Sequence, residues 1–210
     1  GYSVEDALRG ISAAGFRYVE LTATKGWTEH VFPSQSFEYL VGIKELLREL
    51  NLNPFAMSGH CNLMDRDRLR DFILNIELAA FFGCGYIVSS VGEAHIEDKN
   101  TEGLKGITEN IRSLLPHLER NQLKLVLETH GDHSTGAILK EIVESVASDR
   151  VAINYDTANV IFYGDVQPET DMMDCIGEIA YVHLKDKIGG FKEWNFPALG
   201  RGSVNFPAIF

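Results

Sequence analysis

No apolar run in the sequence approaches the roughly 18 residues needed to cross a bilayer, and the first residues carry no secretory-signal pattern. Cysteine is scarce: Cys61, Cys84 and Cys175 are the only three, and none stands in a C-x-x-C spacing. They read as small buried hydrophobes of a reducing compartment rather than as disulfides or catalytic thiols. Cations are few as well, 19 Lys and Arg against 30 Asp and Glu, for a formal net charge of −11. A surface for nucleic-acid backbones needs clustered Lys and Arg, so no nucleic-acid partner is expected. Low-complexity tracts and inter-domain linkers are missing too. The expectation is a cytoplasmic protein without a membrane partner, although a chain beginning at Gly1 can lack its true N-terminus.

What is present is an ordinary globular composition, 45% hydrophobic and 23% charged over 210 residues. Three short apolar runs organise it: Lys124-Leu-Val-Leu-Glu128-Thr-His130, Val151-Ala-Ile-Asn-Tyr-Asp156-Thr-Ala-Asn159 and Ala180-Tyr-Val-His183-Leu-Lys-Asp186. Rich in Val, Ile, Leu and Tyr and without strict alternation, they suit strands buried on both faces. Helical patterns over 134–148 and 168–179 separate them. Strand and helix in alternation imply a parallel sheet with right-handed crossovers. Chemistry in such sheets sits at the carboxyl ends of the strands, where Glu128, Asp156 and His183 fall.

The remainder repeats the pattern. Helices are expected at 3–14, 36–50, 65–82 and 101–120, and strands at 16–21, 53–59 and 86–91. A Gly-rich loop fills 188–202, and a further helix begins near Ser203. Six strands and six helices in strict alternation predict an α/β fold, a doubly wound sheet or a (β/α)8 TIM barrel. A barrel normally needs about 250 residues. The first and last strands would then be lacking from this chain, leaving two bare edges. The expectation is one incomplete barrel domain over residues 1–210, part of a longer protein or with its ends missing.

Gly15-Phe-Arg-Tyr-Val-Glu-Leu21, Ser58-Gly-His60, Leu127-Glu128-Thr-His130, Tyr155-Asp156-Thr-Ala-Asn159, His183-Leu-Lys-Asp186 and Gly200-Arg201-Gly202-Ser-Val-Asn together resemble the xylose isomerase-like TIM barrels. That superfamily includes sugar and sugar-phosphate isomerases and epimerases, inosose dehydratase and the endonuclease IV branch. The resemblance spans nearly the whole chain in order. In the ketose epimerases a divalent metal is held by Glu, Asp, His and a second Glu. Glu128, Asp156 and His183 match the first three, and the fourth would lie on the last strand. The resemblance also implies that Glu128 is both ligand and acid/base, that Arg201 contacts substrate hydroxyls or phosphate, and that a homodimer is common among similar proteins.

Two carboxylates and an imidazole suit Mn, Co or Mg, with Zn also acceptable. Such an ion polarises a carbonyl and its neighbouring hydroxyl, acidifies the C–H between them and stabilises the enediolate. Alone, Glu128 could equally be a strand-end carboxylate pairing with Lys or Arg; register with Asp156 and His183 favours chemistry. Substrate contacts are expected from Arg201, His60, Glu93, His95, His130 and Lys185, most of them just past strand ends. Lys185 and Asp186 could instead orient His183 or form a surface ion pair. Glu20 could hold a sugar hydroxyl or serve a structural pairing, and Trp27 and Trp194 could stack on a sugar.

The expected activity is a metal-dependent sugar or sugar-phosphate isomerase or epimerase. The alternatives are an inosose-type dehydratase and a non-catalytic sugar-binding relative. An endonuclease IV-like enzyme is disfavoured by the charge, by Asn159 where that branch has a histidine, and by a loop over 187–202 without histidine.

Overall fold

In this computed structural model, which describes residues 2–92 and 101–210, three helices begin by the same device. The Ser3 hydroxyl accepts the Asp6 amide at 3.1 Å, Ser36 that of Tyr39 at 3.2 Å, and Thr135 that of Ile138 at 3.4 Å. Each satisfies an N–H that the first helical turn leaves without a carbonyl partner. Along the chain the elements are α1 (Val4–Ala13), β1 (Tyr18–Thr24), β2 (Thr28–Glu29), α2 (Phe37–Glu49), β3 (Asn53–Ser58), α3 (Leu69–Phe82) and β4 (Tyr86–Ser89). Then follow α4 (Leu104–Arg120), β5 (Lys124–Glu128), α5 (Gly136–Val146), β6 (Val151–Asp156), α6 (Asn159–Gly164), α7 (Pro168–Cys175), β7 (Ile179–His183) and α8 (Phe206–Ile209). Gly83, in the left-handed region at φ 82°, ends α3 as a glycine cap does.

The seven strands of the described residues form one sheet in the order β2-β1-β3-β4-β5-β6-β7. All neighbours are parallel except β1 and β2. This is a partial (β/α)8 barrel. The six expected strands are its parallel members, and β2 is an added two-residue antiparallel turn-back that periodicity could not reveal. The main core lies between sheet and helices, where Phe72, Ile76, Ile87, Ile111, Leu114, Leu125 and Ile153 are fully buried. Each such side chain contributes about 1.5–3 kcal/mol relative to exposure.

A second, smaller core fills the concave face: Val88, Val126 and Ala152, floored by Tyr86 and Tyr181. Phe55 stacks on Tyr181 with ring centroids 6.0 Å apart and lies 5.1 Å from Tyr86. Side chains two residues further along each strand point to the same face. Val126 is thus followed by Glu128, Ala152 by Asn154 and Asp156, and Tyr181 by His183. Glu128 pairs in register with Asn154, and Asp156 with His183. The polar layer is stacked directly on the apolar one at the carboxyl ends of the strands.

Candidate functional site

Glu128, Asp156 and His183 converge from three adjacent strands, with one ligand atom from each lying within 4.8 Å of the others. Glu128 is 5% exposed and its two oxygens face different partners. Oε1 lies 2.9 Å from His183 Nδ1 and 3.4 Å from the Asn159 side-chain Nδ2, while Oε2 lies 3.0 Å from His60 Nε2. Burial would raise its pKa. The bonds from His183 and His60 outweigh burial and hold the carboxylate well below its ordinary range. Asp156 is buried too, and its Oδ1 accepts the Ala158 and Asn159 amides at 2.9 and 2.8 Å at the start of α6. Burial raises its pKa, and the Lys185 ammonium, 3.7 Å from Oδ2, opposes that rise.

His183 presents Nδ1 to Glu128 and Nε2 to Glu20 Oε2 at 3.0 Å. Burial would lower its pKa; the bonds to Glu128 and Glu20 override burial and raise it. A protonated imidazole thus sits among three carboxylates, Glu20, Glu128 and Asp156. A divalent cation shared by Nδ1, Glu128 and Asp156 would balance the same charge with the imidazole neutral. The donor set, two hard carboxylate oxygens and one borderline nitrogen, fits Mn, Co, Mg or Zn.

Beside this trio is a cavity of about 190 Å³. Glu128, His60, His130, Asn159, Tyr163 and Lys185 form its polar wall. Trp27, Trp194 and Phe196 form its apolar wall. The Ser90 amide donates to His60 Nδ1 at 2.9 Å, and the Ser90 hydroxyl is directed at the Gly92 carbonyl, so Nε2 carries the hydrogen toward Glu128. His60, expected to touch substrate, therefore also holds Glu128.

The strand bearing Glu128 stops there, and His130 lies in a bridge with His133 instead of continuing it. Its ring nevertheless reaches the cavity, 5.6 Å from the His60 ring and 3.1 Å from the Tyr163 hydroxyl through Nε2. Lys185 Nζ donates to Asn159 Oδ1 at 3.0 Å and lies 4.2 Å from the centre of the Phe196 ring. It is not paired with Asp186, whose buried carboxylate accepts four backbone amides instead.

Arg201 is exposed and lies outside the lining of this cavity. A Cβ at the neighbouring Gly202 would collide with the Asp186 carboxylate, so that glycine serves close packing. Glu93 and His95 lie outside the described residues.

Asn154, Tyr163 and Tyr181 carry site contacts that the sequence reading did not single out. Asn154 and Tyr181 precede Asp156 and His183 by two residues, so strand alternation was the available signal. Tyr163, on a short helix after β6, offered none. A larger cleft of about 760 Å³ opens at the opposite, amino ends of the strands, beside Arg17, Leu47, Asn53 and Phe82; among the described residues its lining holds no histidine.

A curved parallel sheet wrapped by helices, with acids and imidazoles gathered at its mouth, defines an α/β barrel with a possible metal centre. The sequence model of the xylose isomerase-like TIM barrel family matches residues 8–210, and the chain belongs to that family. A comparison with curated proteins finds no match.

Solved structures repeat the fold at low identity. A D-psicose 3-epimerase from Clostridium cellulolyticum H10, solved with D-tagatose, is 15% identical with a TM-score of 0.77, over 100% of this chain and 74% of that one. The "probable 3-DHS dehydratase AsbF" of Bacillus anthracis is 17% identical with a TM-score of 0.75, over 100% and 82%. A xylose isomerase-like TIM barrel protein from Mycobacterium smegmatis, in complex with magnesium, is 17% identical with a TM-score of 0.74, over 98% and 75%.

Proposed function

We propose that the chain is a metal-dependent isomerase or epimerase that moves the proton next to a carbonyl of a small sugar or sugar phosphate. The observation that carries this reading is the convergence of Glu128, Asp156 and His183 within 4.8 Å at the carboxyl ends of three strands. Those three residues would hold one ion of Mn, Co or Mg, with Zn acceptable. A bound ion supplies Lewis-acid polarisation of the carbonyl, which acidifies the adjacent C–H.

The proton then belongs to Glu128. The His60 hydrogen bond and the bound cation would keep its carboxylate ionised, so it is available as the accepting form at neutral pH. The His60 bond to Oε2 fixes the orientation of that carboxylate at the cavity wall. Lys185 and Asn159 offer charge and amide contacts to hydroxyl groups of the substrate. Trp27, Trp194 and Phe196 complete the lining with apolar surface. The volume of about 190 Å³ suits a substrate smaller than the occupants of typical drug-sized pockets of about 300–1,000 Å³. The net charge of −11 weighs against a DNA substrate.

Elimination of a β-hydroxyl is the second reading, and one observation favours it. An expelled hydroxyl needs a proton, and His130, Tyr163 and Lys185 all line the cavity, with His130 Nε2 3.1 Å from the Tyr163 hydroxyl. Incubation with a panel of sugars and sugar phosphates in heavy water, with each metal in turn, separates the two. Solvent deuterium at one carbon without loss of water is expected. Loss of water would establish the lyase instead. Metal-loaded protein that binds sugars but exchanges no proton would leave only a sugar-binding relative.

A further inference from the structure

The metal-capable trio is complete without Glu20, yet Glu20 reaches across the concave face from β1 to β7, strands that are not neighbours in the sheet. Its Oε2 lies 3.0 Å from His183 Nε2 and accepts the Tyr181 hydroxyl at 2.9 Å. Tyr181 and His183 are two residues apart on one strand face, so both polar ends reach the same carboxylate. A register shift precedes each participant: between Val19 and Glu20 in the β1–β3 pair, and between Ile153 and Asn154 in the β6–β7 pair. Such bulges re-aim side chains and recur next to functional centres.

A neutral imidazole has one nitrogen with hydrogen and one with a lone pair, and the partner of the first decides which nitrogen is left to bind a cation. On His183, Nε2 faces a carboxylate outside the trio. Nδ1 faces Glu128 Oε1 at 2.9 Å and the Asn154 carboxamide nitrogen, a donor, at 3.1 Å. We infer that Glu20, supported by the Tyr181 hydroxyl, is a positioning residue that keeps the hydrogen on His183 Nε2 and turns Nδ1 toward the cation shared with Glu128 and Asp156. This rests on the metal-dependent reading above. Partners of this kind typically change metal affinity by about 10–100-fold.

Zinc binding, measured by calorimetry at one pH, tests it on the whole chain and on Glu20→Ala, Glu20→Gln, Tyr181→Phe and His183→Ala. Glu20→Ala is expected to bind zinc about 10–100-fold more weakly. Glu20→Gln, whose amide oxygen still accepts from Nε2, should recover most of that loss, and Tyr181→Phe should fall between wild type and Glu20→Ala. Nitrogen-15 spectra of the zinc-loaded wild type should show His183 with hydrogen on Nε2 and metal on Nδ1. Wild-type affinity in Glu20→Ala, or zinc on Nε2, overturns the positioning role while leaving the metal centre in place. No zinc binding by the wild type, or unchanged binding by His183→Ala, overturns the metal centre and the positioning role together.

Discussion

Two buried carboxylates in this chain face opposite demands, and single substitutions separate them. Glu128 is held ionised by two imidazoles at the mouth, as a base requires. Glu128→Gln removes the accepting charge while preserving shape, so proton exchange should fall by about 10²–10⁴-fold with the circular dichroism spectrum unchanged. Exchange at the wild-type rate would remove Glu128 from the mechanism. Asp171 is used structurally. Its Oδ2 accepts both the Gly136 amide and the Tyr155 hydroxyl at 2.8 Å, tying α7 to α5 and to the back of β6. Burial raises its pKa, so the folded state prefers the neutral acid and loses stability as pH rises above the ordinary carboxylate range. Asp171→Asn presents the same oxygen without the charge. It should change stability by less than about 1 kcal/mol and flatten the pH dependence, whereas Asp171→Ala strands two buried donors at a cost of about 1–3 kcal/mol each. Urea unfolding at pH 4 and pH 7 reads both effects.

At the scale of elements, the segment after β7 is bound down at both ends by adjacent residues of opposite charge. Asp186 accepts amides from Lys187, Gly200, Gly202 and Val204 at 2.7–3.2 Å. Lys187, with no exposed surface, donates to the carbonyls of Ile188, Gly189 and Glu193. Burial pushes the Asp186 pKa up, but the amide bonds prevail and leave it lowered. A depressed carboxylate contributes its stability above the ordinary 3.8 and loses it as pH falls through the folded value. Hydrogen exchange at the amides of 200–204 should therefore accelerate in Asp186→Ala at neutral pH, and in the wild type only below about pH 4. Unchanged protection in Asp186→Ala would show that other contacts hold the segment. None of this was legible in the sequence, where Lys185 and Asp186 read either as orienting His183 or as a surface ion pair. The strands themselves were legible, because Leu125, Val126, Leu127 and the run from Val151 to Asp156 are buried on both faces and carry no competing helical period. Boundaries failed where two periods fit. Met172, Cys175 and Ile179 share helical spacing, yet the helix ends at Cys175 and Ile179 opens β7.

For the whole molecule, the placement of the three ligand candidates was readable because fold class alone dictates it: strand ends share one rim. Part of what surrounds them was readable too, since His60, His130, Lys185 and Glu20 read as standing at or just past strand ends, whereas Tyr163 and Tyr181 arrive through a short helix and strand alternation rather than through any motif. The result is a mouth where Glu20, Glu128 and Asp156 crowd one imidazole in a chain of net charge −11. A cation that binds only the folded arrangement stabilises it by RT ln(1 + [L]/Kd), about 2.7 kcal/mol at 100 times Kd. For a chain of 210 residues each kcal/mol shifts Tm by about 2–4 °C. Calorimetric unfolding should then move upward by about 5–10 °C between chelator and saturating Mn. Acidic surface groups bind divalent ions weakly too, but that contribution survives His183→Ala and fades in added salt. The shift owed to the centre should disappear in His183→Ala and persist at high ionic strength, because its ligands are largely buried. A wild-type Tm that ignores saturating Mn, Co, Mg and Zn alike would mean that the protonated imidazole, and not a metal, is the resident cation of this mouth.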